Sequence, residues 1–125
     1  MPSIADMRST VESYLSLVAD GTAEQITALY ASDATLEDPV GADAHKGAEA
    51  ILEFYKVIEP IKRATELVSF KAAGNIAVFE FKITTFFPEL TIHLNPVDIM
   101  EFAEDGKVQS MKALWGPQDM VKTDA

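Results

Sequence analysis

The chain has no cysteine. That excludes disulfide frameworks, thiolate nucleophiles and cysteine–zinc centres, and it fits a reducing, cytoplasmic setting. Histidine is scarce too: there are only His45 and His93, and neither stands at metal-ligand spacing from an acidic partner. HExxH, P-loop and GxGxxG patterns are all missing, so neither a metal nor a cofactor is expected. Positive charge is in short supply, with 10 Lys and Arg against 20 Asp and Glu and a formal net charge of −10. This balance argues against nucleic acid and anionic membrane surfaces as partners, and leaves a neutral or apolar ligand unaffected. No apolar run approaches the roughly 20 residues of a membrane span. Residues 1–20 form an amphipathic pattern with internal charges rather than a signal peptide. At 125 residues, 48% of them hydrophobic, the chain suits one domain over 1–125 with a substantial core.

The order of patterns predicts helices first and strands after. Ser3 with Asp6 marks a helix start, and Ile4, Met7, Val11, Tyr14, Leu15 and Val18 follow at helical spacing until Asp20-Gly21. Thr22 with Gln25 is a second capping-box pattern. It opens a short helix whose inner face is Ile26, Leu29 and Tyr30. Thr35 to Asp38 reads as a short extended piece stopped by Pro39 and Gly41, and 42–47 as a polar loop with His45 solvated. Ala48, Ile51, Leu52, Tyr55 and Ile58 mark a third helix ending at Pro60. The period then changes to two. Strands are expected at 62–71, 76–87, 94–102 and 107–116, with a turn at 72–75, another at Pro88-Glu89 and a hairpin at Asp105-Gly106. Lys62-Arg63 reads as a charged strand edge, and Phe86-Phe87 as an apolar patch suited to a subunit contact. The tail after Gly116 reads as polar and loose. Three helices followed by meandering strands give an α+β fold, with three N-terminal helices on one face of a curved antiparallel sheet that encloses an apolar cavity. Phe79, Phe81, Ile83, Leu94, Met100, Met111 and Trp115 are expected to line it.

The residues 94–102 carry the most chemical information. Strand alternation puts Leu94, Pro96, Asp98, Met100 and Phe102 on one face, apolar except for Asp98. A carboxyl group facing a core either finds a partner or stays protonated, and a protonated one is a hydrogen-bond donor. The alternative is a strand-end acid turned to solvent. Tyr14, Tyr30 and Tyr55 are the only tyrosines, each on the apolar face of a different expected helix. They either partner one another or separately fill core volume. Asp38 follows Glu37, so the two should point opposite ways. One reading turns Asp38 inward; the other leaves it a loop acid.

Several of these features together resemble a known family. They are Tyr14, the segment Ala34-Thr35-Leu36-Glu37-Asp38-Pro39-Val40-Gly41, the run Glu53-Phe54-Tyr55, and Val97-Asp98-Ile99-Met100-Glu101-Phe102. In this order and spacing they resemble the bacterial steroid delta-isomerase (ketosteroid isomerase) family of the nuclear-transport-factor-2-like (NTF2-like) superfamily, over roughly residues 7–116. The loop at 42–46 and the strands from 62 to 75 depart from it. The resemblance implies a conical α+β barrel, a homodimer, and a cofactor-free shift of the double bond of a 3-oxo-Δ5 steroid into conjugation with the ketone. It makes Tyr14 the oxyanion-hole tyrosine, Asp98 a second, protonated donor to the same oxygen, and Asp38 the general base that carries a proton from C4 to C6. The family is itself the reference case of a carboxylic acid held neutral at pH 7. Tyr30 and Tyr55 match a supporting hydrogen-bond network. Phe54, Met111 and Trp115 match steroid-contacting positions, and Val18, Phe79, Phe81 and Met100 complete the expected apolar wall.

Two other readings use the same fold. One is a dehydratase, polyketide cyclase or epoxide hydrolase, which calls for further polar groups such as a His–Asp pair or an Asp–Arg–Asp set; Arg8 and Arg63, the only arginines, show no inward pattern. The other is a non-catalytic module for an apolar ligand or a protein partner, which has no need of Tyr14, Asp38 and Asp98 together.

Overall fold

A computed structural model describes residues 2–125. Helix α1 (Ile4–Asp20) starts at the expected capping box, with the Ser3 and Asp6 side chains each bonded to the other's backbone, and buries Met7, Val11, Tyr14, Leu15 and Val18. Helix α2 (Ala23–Thr27) opens on the Thr22–Gln25 capping box. It stops earlier than its apolar spacing suggests. Tyr30 is the first residue of strand β1 (Tyr30–Glu37), not the last inner position of a helix. A β1 of this length is built by pairing with a distant strand, which local periodicity does not record.

The third helix is not N-terminal to the sheet. Strands β1 and β2 (His45–Lys46) precede α3 (Ala48–Lys56). Residues 42–47 are therefore not wholly a loop: His45 pairs with Leu36 and is half-buried. α3 ends at Lys56, four residues short of Pro60. The remaining strands are β3 (Lys62–Ala73), β4 (Ile76–Phe86), β5 (Leu90–Leu94), β6 (Val97–Phe102), β7 (Val108–Leu114) and β8 (Met120–Asp124). α1 packs on β3, α2 on α3, and α3 on β1 and β2.

All eight strands belong to one sheet, in the order β2-β1-β7-β6-β4-β5-β8, with β3 on the other edge of β4. Two expectations are corrected here. The sheet is mixed, because β1 runs parallel to β7, and it is open rather than a closed barrel, with β2 and β8 at the ends of the path. The stretch 94–102 is also not one strand. β4 pairs with β6 over 76–80 and with β5 over 83–86, and the change of partner falls at Asn95-Pro96. Proline has no N–H for the ladder. Its carbonyl instead accepts from the Phe81 N–H, while Asn95 Nδ2 donates to the Phe81 carbonyl at 2.7 Å.

The tail is ordered, contrary to its polar composition. A 3-10 turn (Pro117–Asp119) leads into β8, which pairs with β5 from Leu94↔Met120 to Leu90↔Asp124. Asn95 N–H donates to the Asp119 carbonyl, and the Asp119 carboxylate accepts from Gly116 N–H at 2.9 Å.

Arg63 is the other correction. It is 8% exposed, and its guanidinium donates to the carbonyls of Val18, Gly21, Ile58, Glu59 and Ile61. The carbonyls left over at the end of α1 and in the turn after α3 thus converge on one cation. Thr65 Oγ1 donates to the Leu15 carbonyl at 2.7 Å. β3 therefore holds the helix residue that follows Tyr14.

Candidate functional site

Asp98 is the second residue of β6, directly opposite Phe79 of β4 on one side and Ala113 of β7 on the other. The alternation read from the sequence is correct: Pro96, Asp98, Met100 and Phe102 are all buried. Asp98 is 2% exposed, and among the described residues its Oδ1 has no hydrogen-bond partner. Burial pushes its carboxyl well above the usual carboxylate range, and the negative charge of Asp38 pushes it further. With no cation paired to it among the described residues, burial favours the protonated form of the group, which can donate.

The three tyrosines form one chain of hydroxyls. Tyr55 on α3 is its middle member, 3.0 Å from the Tyr14 hydroxyl and 2.6 Å from that of Tyr30. All three are buried, and burial first of all raises each phenol well above its usual pKa. The Tyr14 ring meets Phe79 edge-on, with centroids 6.2 Å apart. Phe79 is also the cross-strand neighbour of Asp98, so Tyr14 and Asp98 flank one aromatic ring. Desolvation, Tyr30 and Asp98 all raise Tyr14, while the Tyr55 hydrogen bond lowers it. Either hydroxyl of this pair can be the donor; with Tyr55 donating, Tyr14 keeps its own hydrogen for another acceptor.

Asp38 follows the end of β1, in a bend closed by Gly41 at φ +103°. Glu37 and Asp38 do point apart. Glu37 accepts from the Gly41 N–H at 2.7 Å, whereas Asp38 Oδ1 accepts from the Trp115 indole N–H at 2.8 Å. Val40 N–H donates to the Ala113 carbonyl, so β7 ties the Asp38 bend to the strand beside Asp98. Burial raises Asp38, while the Trp115 hydrogen bond and the nearby His45 pull it back. The two carboxyl groups are thus driven apart: one has no counterweight to burial, and the other has two.

Val18, Phe79, Phe81, Met100 and Met111 belong to the same buried cluster as the tyrosines, and Phe54 packs against it. Trp115 is half-buried. His45 is not simply solvated: its ring lies 5.0 Å from that of Phe54. Sequence reasoning missed the Trp115–Asp38 bond, although a signal existed. Alternation put Trp115 inside with Met111 and Ala113, and an inward indole N–H needs an acceptor. His93 is exposed and bonds Thr123.

A titration test follows from the buried carboxyl. Because the folded pKa of Asp98 lies above the unfolded value, the native state holds its proton more tightly. That contribution is complete below the unfolded pKa and is lost as pH rises toward the folded one. Asp98→Asn removes the titration. Its stability relative to the parent's, read from melting temperatures, is expected to rise as pH increases above the unfolded value of Asp98, by up to about 1.4 kcal/mol per pH unit. A pH-independent difference would mean that Asp98 is ionised in the fold.

Comparison with known proteins shows the family of the chain. Residues 11–111 match the SnoaL-like domain family. A curated steroid delta-isomerase from Nocardioides simplex is 46% identical over 121 residues, which is 97% of this chain and 98% of that protein. Among solved structures, the epoxide hydrolase/cyclase-like enzyme SalBIII, which acts in pyran ring formation in the polyether salinomycin, superposes with a TM-score of 0.88 at 25% identity, covering 96% of this chain and 98% of its own. RV0760c from Mycobacterium tuberculosis gives a TM-score of 0.88 at 18% identity over 98% and 100% of the two chains, a likeness of fold. The chain therefore belongs to the SnoaL-like, NTF2-like enzymes, and within them to the steroid delta-isomerase family.

Proposed function

We propose that the protein isomerises 3-oxo-Δ5 steroids to their conjugated 3-oxo-Δ4 isomers without a cofactor. The observation that carries this reading is the split between two nearby carboxyl groups. Asp98 is buried with nothing to offset the upward push of burial, whereas Trp115 and His45 oppose that push at Asp38. Enolisation of a ketone needs both kinds of group: donors where charge develops on oxygen and a base at the α-carbon. In this reading the substrate ketone accepts hydrogen bonds from the Tyr14 hydroxyl and the Asp98 carboxyl. The Asp38 carboxylate removes a proton from C4, and the electron pair delocalises into a dienolate. The resulting Asp38 carboxylic acid returns that proton to C6, regenerating the ketone with its double bond in conjugation. Tyr55 and Tyr30 hold Tyr14 by the chain of hydroxyls. Val18, Phe54, Phe79, Phe81, Met100, Met111 and Trp115 supply the apolar wall.

Of the two arrangements that cyclase or epoxide hydrolase chemistry calls for, a His–Asp pair is approached by His45 near Asp38, whereas an Asp–Arg–Asp set has no arginine to draw on. Arg63 is committed to backbone carbonyls, and Arg8 lies over the Phe70 ring. Ultraviolet absorbance of a 3-oxo-Δ5 steroid incubated with the purified protein tests the proposal. Growth of the conjugated-enone band supports it, and a flat trace at substrate concentrations that bind rejects it.

The outer face of the sheet suits a second copy of this chain. Register brings Val78, Ile99 and Lys112 into one row and Glu80, Val97 and Leu114 into the next. Val78 and Leu114 are exposed. An apolar strip edged by charges of both signs can meet its own copy about a two-fold axis. Sedimentation should report a dimer that Leu114→Lys weakens. A monomeric parent at micromolar concentration would remove this expectation.

A further inference from the structure

The catalytic face of the sheet does not stop at the apolar wall. Phe79, Phe81, Ile83 and Thr85 alternate along β4 on one side, and Phe79 stands opposite Asp98, so these side chains share its face. Ile83 pairs with Leu94, which pairs with Met120; Thr85 pairs with Ile92, which pairs with Lys122. Cross-strand partners point to the same side of a sheet. The C-terminal strand therefore extends the inner face through Met120 and Lys122 to Asp124, which pairs with Leu90. Met120 and Lys122, together with Trp115 and Pro117, line an open notch of about 530 Å³. Trp115 belongs to both places: its indole N–H holds Asp38, and its ring forms a wall of the notch.

Resting on the isomerase reading, we propose that this notch receives the end of the steroid remote from the ketone, and that Lys122 selects substrates with a carboxylate there. Span decides between a ring oxygen and an acidic side chain. From Phe79, level with Asp98, to Thr85, level with Lys122, the strand advances six residues, about 20 Å at ~3.3 Å per residue. A ketone held at Asp98 and a group that meets the extended Lys122 ammonium are thus separated by more than a fused-ring core alone bridges. A side chain on the distal ring covers the remainder. The notch chemistry agrees, with Trp115, Pro117 and Met120 as apolar walls and Lys122 as the one charged residue of its lining; Asp124 follows on the same face of the strand, outside that lining.

Trp115 is the only tryptophan, so its fluorescence reports occupancy whether or not the reaction proceeds. The ligands are a 3-oxo-Δ5 steroid bearing a side-chain carboxylate and its neutral methyl ester. Wild type is expected to bind the acid about fivefold more tightly than the ester, as suits an exposed charge pair, with the preference shrinking as salt is added. Lys122→Met should abolish the preference, and Lys122→Glu should invert it. Equal affinity of wild type for acid and ester, or a preference that survives Lys122→Met, would overturn the proposal. The isomerase reading fails by a different sign: the ester binds and quenches Trp115, yet no enone band grows.

Discussion

Asp38→Asn is expected to lower the rate of enone formation by about 10²- to 10⁴-fold, the usual contribution of a positioned general base, while a steroid still binds. The substitution is nearly isosteric. The amide oxygen can take over the hydrogen bond from the Trp115 indole N–H, now 2.8 Å from Oδ1, so the bend after β1 keeps its shape. What the amide cannot do is accept a proton at C4. Loss of turnover with binding intact therefore assigns the base, and loss of both would show that Asp38 shapes the site instead. Surviving turnover would exclude Asp38 from the proton transfer. The pH profile of the parent should carry the same signature. Burial raises Asp38 and Trp115 and His45 oppose it, so activity is expected to fall on the acid side as this carboxylate is protonated. Burial raises Tyr14 and Asp98 well above their usual values, which favours the protonated, donating form of each.

The second large effect is expected at Tyr14. Tyr14→Phe removes a donor aimed at the developing oxyanion, and such donors contribute about 10²- to 10³-fold in kcat. Tyr30→Phe should cost less than tenfold, because Tyr30 reaches Tyr14 only through Tyr55 and removing its hydroxyl leaves the Tyr55–Tyr14 bond in place. A neutral hydrogen bond of this kind contributes about 1 kcal/mol. Single-turnover rates of the two variants, measured at saturating steroid, separate the roles. Equal losses would mean that the three hydroxyls act as one unit rather than as a donor with support behind it.

Much of this site is legible because its signals are local. A period of two places Asp98 among Pro96, Met100 and Phe102 on one face of β6, and a carboxyl group among apolar neighbours has one economical state. A period of 3.6 with the Ser3–Asp6 capping box places Tyr14 inside α1. The Glu37–Asp38–Pro39 bend separates the two acids by strand alternation. Tyr30 is the instructive exception. Its inward direction was right and its helix was wrong, because five residues of α2 followed by a strand carry nearly the same apolar spacing as a two-turn helix.

What the sequence by itself determined is therefore the set of inward faces and the helix starts. Dihedral preference, capping and side-chain alternation act over a few residues, and those residues are adjacent in the chain. Only the tertiary structure decided which faces meet. The bond from Trp115 to Asp38 joins residues 77 apart, and the parallel pairing of β1 with β7 brings those two segments side by side. Arg63 looks like a strand-edge charge until the carbonyls at the ends of α1 and of the turn after α3 converge on it. The polar residues 120–124 become an eighth strand because β5 leaves an edge of unpaired backbone groups that no local pattern announces. Those contacts split the behaviour of two chemically identical carboxyl groups, since the degree of burial and the donors that offset it are properties of the assembled fold.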